Sequence, residues 1–463
     1  MTQLNLDLHG ATNYLETPWS FGVNVSRAGM LLNKDMQRHL LLGRDELGFK
    51  NVRFAGLFDE ATRILQPDGS YDFTNVEREF DWLMEQGLTP FVVLNGVPAS
   101  LAAEGSPLPV DHDKWFDMCR ALASFVDGRY GCDAQEWHFE VWPGADNPAI
   151  WPESREAFFR FYDLTARAIK SVNSQLKVGG ASAIDSDWTA AFIDQLAQPS
   201  EAFGMDTQRC DFITVDGSTD GLADAQTIAD RLSPVRIKLT EALGETTPLY
   251  LSAWSRGGRG TSIENDRCGS GSGVIEIAAA TANIVSGILY DCMSDIDQAG
   301  ELRYEPFHGG RGLVTINDIR KPSFNALKLL NEHIGYKMEW RWHEPVEGLS
   351  AIVTKDYHNV IRILASYDWA AATGPAKFTI DGLPESVQFG QVQVLRPAAG
   401  SAMEAWIERG RPVFVNRYLL DELDAASHPA MAEVNFIDFP PRLESGMTLQ
   451  LTIPLPDDVA MMD

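Results

Sequence analysis

The strongest constraint on the fold is a regular alternation of two kinds of segment between residues 18 and 336. Short runs rich in β-branched and aromatic residues alternate with longer segments whose apolar residues recur every three to four positions, and eight such strand–helix units can be counted. Eight parallel strands joined through helices close into a barrel. We therefore predict an α/β fold with a (β/α)8 TIM barrel over 18–336. The strand candidates are FGVNV (21–25), VRFAG (52–56), PFVVLNG (90–96), EWHFEVW (136–142), KVGGAS (177–182), FITVDG (212–217), LYLSAW (249–254) and GILYDCM (287–293).

The pattern changes after residue 337, where strand-like runs follow one another without helices between them. Examples are EWRWH, LSAIVTKDY, VIRILASYDW, AKFTIDGL and TLQLTIPLP. This pattern predicts a C-terminal β-sandwich domain over 337–463. The run QLNLDL near the N-terminus also alternates, so we expect the segment 1–17 to add a strand to the sandwich and to join the two ends of the chain.

Charge and cysteine content exclude several functions. With 38 Lys and Arg against 65 Asp and Glu, the net charge of −27 repels nucleic acid and anionic membrane surfaces. The most apolar stretch, 273–290, contains Glu276 and Asn283, which argues against a membrane span. Five scattered cysteines without a CxxC pair indicate neither disulfides nor a zinc site, and we predict no metal and no cofactor. The N-terminus lacks the pattern of a secretory signal, so a cytoplasmic location is expected, and the oligomeric state stays open.

Six stretches carry a resemblance to a known family. They are VRFAGLFDE (52–60), FTNVEREFDWLMEQGLTPFVVL (73–94), EWHFEVW (136–142), LKVGGASA (176–183), FHGGRGLVTINDIRKPSFNALKLLNEHIG (307–335) and EAWIERGRPVF (404–414). Over nearly its whole length the chain resembles glycoside hydrolase family 39, the β-xylosidase-like retaining glycosidases. The most specific match is FHGGRGL followed at a fixed distance by KPSFNALKLLN.

The resemblance implies a double displacement by two glutamates about 5 Å apart, an acid/base after the fourth strand and a nucleophile after the seventh. The acid/base belongs to a W-N-E-P-N run, where this chain has Gly144. The nucleophile belongs to a T-E-W run, where it has Ala253. Three further site positions also differ and are occupied by Ala55, Asp216 and Asp291. Glycine and alanine can neither transfer a proton nor form a glycosyl ester, so the retaining mechanism cannot run at these positions.

Several side chains could still act at the end of the barrel. Asp216 and Asp291 end strands six and eight and are the leading candidates for a relocated carboxylate pair, since one charge would raise the pKa of the other group. Glu140 lies deeper in the fourth strand, where alternation places it on the inner face together with Trp142, and it is either a structural acid or a replacement catalytic acid. The candidate sugar-binding residues are Trp142, Trp254, His308, Asn95 and Asp59.

Three functions remain open. The first is a catalytically silent homologue that binds a carbohydrate, a xyloside or a related glycan, or a protein partner. The second is an active glycosidase or lyase that uses relocated carboxylates. The third is a scaffold or assembly subunit with a closed cleft.

The Gly- and Ser-rich segment 255–273 is expected to form a mobile loop over the cleft.

Overall fold

Eight parallel strands close into a barrel in chain order, which confirms the predicted barrel. The structure is a computed structural model that describes residues 1–102, 107–200, 203, 209–296, 303–368, 374–438 and 440–456, without the side chains of 9, 11 and 12. A first strand, β1 (Thr2–Tyr14), precedes the barrel. The barrel strands are β2 (Gly22–Arg27), β3 (Asn51–Ala55), β4 (Thr89–Leu94), β5 (His138–Val141), β6 (Lys177–Ala183), β7 (Phe212–Asp216), β8 (Leu249–Trp254) and β9 (Gly287–Tyr290).

A helix packs outside the barrel after each strand. The helices are α1 (Lys34–Leu47), α2 (Thr74–Glu85), α3 (His112–Tyr130), α4 (Arg155–Lys170), α5 (Ser186–Ala197), α6 (Ala225–Leu243), α7 (Gly269–Thr281) and α8 (Pro322–Asn331). Side-chain oxygens cap the first turns of α1, α3, α4, α5 and α6, as Asn33 does for α1 and Asp185 for α5, because the first amide groups of a helix have no partner within it. Outward side chains of the strands, such as Val23 and Val25, join the helices in the main core.

Aromatic side chains close the N-terminal end of the barrel. Phe91 stacks on His138 with ring centroids 4.8 Å apart, and Phe212 and Tyr250 pack around the pair. A Cβ on Gly287 would lie 2.4 Å from Cγ of Phe21, so only glycine fits beside this floor. Because the floor is filled, a ligand can reach the barrel interior only from the opposite end, where the strands end.

The C-terminal part is rich in β structure, as predicted. Its strands are β10 (Tyr336–Trp342), β11 (Leu349–Lys355), β12 (Val360–Tyr367), β13 (Ala376–Asp381), β14 (Phe389–Pro397), β15 (Gly400–Ser401), β16 (Ala430–Asn435), β17 (Arg442–Leu443) and β18 (Thr448–Pro454), with α9 (Met403–Glu408) and α10 (Arg417–Ala426) between them. They form one hydrogen-bonded path in the order β15-β14-β18-β12-β11-β10-β1-β13-β17, and β16 pairs with β14. Strand β1 lies in this accessory sheet, antiparallel to β10 and parallel to β13.

Buried polar contacts join the accessory sheet to the barrel. His333, just after α8, places Nδ1 2.9 Å from the Thr354 hydroxyl and Nε2 3.1 Å from Oε1 of Gln450. The amide of Asn325 on α8 donates to the carbonyl oxygens of Gly400 and Ser427, at 3.0 and 2.7 Å. Helix α8 therefore contacts both the barrel and the accessory sheet.

In the described part of the chain, none of the helices combines the length and the apolar character that a membrane crossing requires.

Candidate functional site

Gly144 lies at the C-terminal end of β5, in the turn that the resemblance assigns to the acid/base. Its φ of +80° lies in the left-handed region, which favours glycine. The Gly144 amide donates to the carbonyl oxygens of Ala181 and Ser182, at 2.9 and 3.1 Å. An added Cβ would meet Cδ1 of Ile150 at 2.9 Å. The backbone here is thus shaped for a residue without a side chain.

The neighbouring acid in the same turn, Asp146, is committed to another role. Its Oδ2 accepts hydrogen bonds from the amides of Ile184 and Asp185, at 2.8 and 2.9 Å. These bonds fix the connection between β6 and α5. Asp146 therefore does not place this oxygen at the position that Gly144 leaves vacant.

Ala253 lies on β8 at the position that the resemblance assigns to the nucleophile. It is half-buried and pairs in register with Asp216 on β7, and its carbonyl oxygen accepts a 2.9 Å hydrogen bond from the amide of Gly217. The methyl group offers the barrel mouth no acid, base or nucleophile. The carboxylate nearest to it in register is that of Asp216.

The two aspartates that could form a relocated pair lie close enough for their charges to interact. Asp291 forms an ion pair with Arg311, and one oxygen of Asp216 accepts a 2.7 Å hydrogen bond from the Ser218 amide. Burial raises the pKa of Asp291 and the charge of Asp216 raises it further, while Arg311 and Arg53 oppose the rise. The sequence analysis missed Arg311, because the pair joins two loops that are 20 residues apart.

Glu140 lies below the mouth in a buried ion pair. Its carboxylate is 0% exposed, and Oε2 accepts from Nη2 and Nε of Arg53 at 2.6 and 2.8 Å. Arg53 also donates to Oδ1 of Asn24, whose amide donates to the carbonyl oxygen of Ser252 at 2.9 Å. This network crosses the barrel from β5 to β8, so Glu140 has the contacts of a structural acid.

The two tryptophans predicted to bind sugar are buried. Trp142 has a φ of +39°, and its ring packs against Trp115, Trp151 and Phe161 in the helical layer. The strict alternation predicted for this strand is therefore wrong at Trp142, because the left-handed backbone turns its side chain outward. Trp254 is 2% exposed. Neither indole can stack on a sugar unless its neighbours move.

Asn95 and Asp59 lie together beside the mouth. Oδ1 of Asn95 accepts a 3.3 Å hydrogen bond from the Gly56 amide, and a Cβ on Gly56 or Gly96 would come within 2.6 Å of an Asp59 carboxylate oxygen. Both side chains are half-buried. His308 is also half-buried, burial lowers its pKa, and neither ring nitrogen has a hydrogen-bond partner among the described residues.

A buried charge cluster holds the loop that carries His308 and Arg311. The Lys321 ammonium lies 2.6 Å from Asp266 and 2.5 Å from Asp295, and all three side chains are 0% exposed. The ammonium also donates a 2.9 Å hydrogen bond to the carbonyl oxygen of Gly310. Asp266 and Asp295 in turn accept from the amides of Gly309 and Gly312, at 2.6 and 2.8 Å. These contacts give a physical reason for the fixed distance between the FHGGRGL and KPSF runs.

The segment 255–273 is anchored at several points, contrary to the prediction of a mobile loop. Arg256 is 2% exposed and pairs with Asp368 at 3.1 Å, and Asn265 bridges Gly257 and Gly309 through its side-chain amide. The glycines of this segment permit close backbone contacts.

Within the described ranges, no group of three or more His, Cys, Asp and Glu side chains could hold a metal ion.

Comparisons with known proteins agree with this architecture. The sequence model of Glycosyl hydrolases family 39 matches residues 2–437. A β-xylosidase from Caldicellulosiruptor saccharolyticus is 26% identical over 448 residues, which cover 90% of this chain and 90% of that protein. A β-xylosidase from Geobacillus stearothermophilus is 24% identical over 470 residues, 94% of this chain and 90% of that one. The structure of a family 39 β-xylosidase from Caulobacter crescentus has the same fold, with a TM-score of 0.81, 23% identity and coverage of 98% of this chain and 99% of that one. The chain therefore belongs to glycosyl hydrolases family 39.

Proposed function

We propose that this chain is a non-catalytic member of its family, which binds a carbohydrate, a β-xyloside or a related glycan, or a protein partner at the barrel mouth. The observation that supports the proposal is the pair of residues at the two family positions for glutamate. Gly144 has no side chain and Ala253 has only a methyl group. Double displacement needs a proton donor at one position and a nucleophile at the other, and neither residue supplies one.

The polar groups of the mouth support binding. Asn95 and Asp59 are half-buried on one side, and the ion pair of Asp291 with Arg311 lies at the end of β9. Amide, carboxylate and guanidinium groups together offer donors and acceptors for sugar hydroxyl groups. The Arg53–Glu140 pair lies beneath them and holds the strands that present these groups.

The test combines turnover with binding. We expect no release of aryl alcohol from aryl β-xylosides, β-glucosides or α-arabinofuranosides, together with calorimetric binding of xylobiose. Binding should weaken in Asn95→Ala and should be unchanged in Gln226→Ala, which removes an exposed amide on α6. Turnover by the wild-type chain would contradict the proposal, and the absence of both turnover and sugar binding would favour a protein partner or a scaffold.

One observation favours an active enzyme as the second candidate. Burial and the charge of Asp216 both raise the pKa of Asp291, and a general acid needs such a raised pKa. The ion pair with Arg311 works against this role, since it stabilises the ionised carboxylate. Turnover that disappears in Asp216→Asn and Asp291→Asn but persists in Asp220→Asn, an exposed control, would establish the relocated pair.

A further inference from the structure

Three tyrosines form an exposed cluster where β1, β10 and the turn between β11 and β12 meet. The ring centroids of Tyr14 and Tyr336 are 5.9 Å apart, and those of Tyr336 and Tyr357 are also 5.9 Å apart. Tyr336 is the half-buried middle ring, and its plane is inclined by 86° to Tyr14 and by 77° to Tyr357. The two outer residues are 54% and 62% exposed, so this tyrosine cluster presents aromatic surface to the solvent.

The backbone holds the tyrosine cluster in place. Tyr14 and Tyr336 lie directly opposite each other in the antiparallel pair of β1 and β10. Tyr357 lies in a tight turn, where Oδ1 of Asp356 accepts hydrogen bonds from two backbone amides of the turn, at 2.9 and 3.0 Å. The same carboxylate pairs with Arg362 at 2.7 Å. Because strand pairing and the turn fix the backbone beneath the rings, a ligand loses little free energy in ordering them.

A lysine without a partner lies beside the middle ring. Lys355 is directly opposite Tyr336 in the pair of β10 and β11, so the two side chains leave the same face of the sheet. Lys355 is 7% exposed, and its ammonium makes neither a hydrogen bond nor an ion pair with the residues that the structure describes. Its Nζ is not one of the polar atoms sealed inside the protein, so a ligand at the edge of the sheet can reach it. Lysines buried this deeply are almost always paired, which indicates an anionic ligand here.

The tyrosine cluster is on the side of the barrel floor, away from the mouth. From Tyr14 the chain runs to the N-terminal end of β2, and Tyr336 follows shortly after the C-terminal end of α8. The amide of Leu15 donates to the carbonyl oxygen of Gly335 at 2.8 Å and joins these two segments. In such a barrel each helix returns the chain to the N-terminal ends of the strands. The cluster and the mouth are therefore at opposite ends of the barrel.

The groups of this surface match a sugar that carries a carboxylate. The rings offer apolar surface to the C–H face of a sugar, and the Tyr357 hydroxyl, which interacts with those of Tyr14 and Tyr336, offers a donor and an acceptor to sugar hydroxyl groups. The ammonium of Lys355 supplies the positive charge that a carboxylate needs. The net charge of −27 opposes an anion at long range, but salt at physiological strength screens it beyond about 8 Å. We propose that the three tyrosines and Lys355 form a second binding site, separate from the barrel mouth, for a uronic acid or another sugar with a carboxylate group.

The site can be tested on the full chain by saturation-transfer NMR at physiological salt, with three probes. Glucuronate has both the sugar ring and the charge, glucose has the ring without the carboxylate, and acetate has the carboxylate without the ring. We expect glucuronate to bind about tenfold more tightly than either of the others, because each of those lacks one of the two contacts.

Two variants remove the two contacts separately. Lys355→Met removes the ammonium and keeps the length of the side chain, and glucuronate should then bind no more tightly than glucose. Tyr357→Ala changes an exposed turn residue, so it tests the site even if Lys355→Met fails to fold, and it should weaken the binding of both sugars. The control Tyr418→Ala removes a tyrosine that is 87% exposed on α10, and it should bind all three probes as the wild type does.

Asn95→Ala, at the barrel mouth, separates this site from the proposed function. Glucuronate binding that survives Asn95→Ala and is weakened in the Lys355 and Tyr357 variants supports the second site, whether or not the mouth binds sugar. Binding that is lost in Asn95→Ala and unchanged in the other two variants overturns the second site and leaves the mouth proposal in place. Glucuronate binding that is no tighter than that of glucose or of acetate, or that is absent at millimolar concentration, also overturns the second site.

Discussion

The backbone at Gly144 makes a quantitative prediction about how strongly the vacated acid/base position resists a side chain. Its φ is +80°, and a residue with a Cβ in that region loses about 1–2 kcal/mol relative to a relaxed backbone. The added Cβ would also lie 2.9 Å from Cδ1 of Ile150. That atom is the far end of a side chain that is 39% exposed, so it can rotate away at little cost.

The conformational term should therefore dominate. We expect Gly144→Ala to lower the free energy of unfolding by about 1–2 kcal/mol, measured by urea denaturation followed by circular dichroism. Gly69 is the matched control, since its φ is +84° and an added Cβ would meet no atom within 4 Å. Gly69→Ala should cost the same within about 0.5 kcal/mol.

Two results would refute this reasoning. The first is a loss of unfolding free energy in Gly144→Ala that exceeds the loss in Gly69→Ala by about 2 kcal/mol or more. If adding Ile150→Val recovers that excess, the contact with Ile150 and not the backbone conformation controls the position. A neutral Gly144→Ala would show that the turn relaxes freely. In the expected case, Gly144→Glu also folds, and the lost acid could be restored without rebuilding the turn.

Three further changes test the buried charges. Lys321→Met leaves two buried carboxylates without their cation and should cost about 3–5 kcal/mol in denaturant unfolding, whereas Lys328→Met, at a half-exposed ion pair, should stay within about 1 kcal/mol. Burial raises the pKa of Glu79 to about 7 from an ordinary 4.5, so the folded state keeps a proton that the unfolded state loses, and stability falls as the pH rises between these values. Glu79→Gln should therefore raise the free energy of unfolding by about 3 kcal/mol at pH 8 and leave it unchanged near pH 4. The control Glu85→Gln changes an exposed side chain and should leave stability unchanged at either pH. Glu140→Ala leaves the half-buried guanidinium of Arg53 without its carboxylate and should cost about 3 kcal/mol, and equal stability of variant and wild type in thermal unfolding would contradict the structural role.

The barrel could be predicted because parallel strands that are buried on both faces give short apolar runs in the sequence. Such a run is present at each of the eight strands that form the barrel. The packing of the mouth could not be predicted in the same way. A single left-handed residue, Trp142, ended the alternation of its strand, and no composition rule signals that. The partners Lys321 and Arg311 were missed because each pairs with acids in another loop, and sequence spacing does not report such contacts. The glycines of 255–273 indicated mobility, whereas they allow the backbone to approach its anchors.

The position of β1 has a consequence for biosynthesis. This strand is synthesised before the barrel, yet the register partner of its Leu4 is Trp342, and its other neighbour, β13, lies later still in the chain. The whole barrel must be synthesised before either edge of β1 can pair with a neighbouring strand. Until then, the backbone amides of this strand have no partner strand. Nascent chains that stop before residue 336 expose this edge permanently, and they are the species most prone to aggregate or to recruit a chaperone.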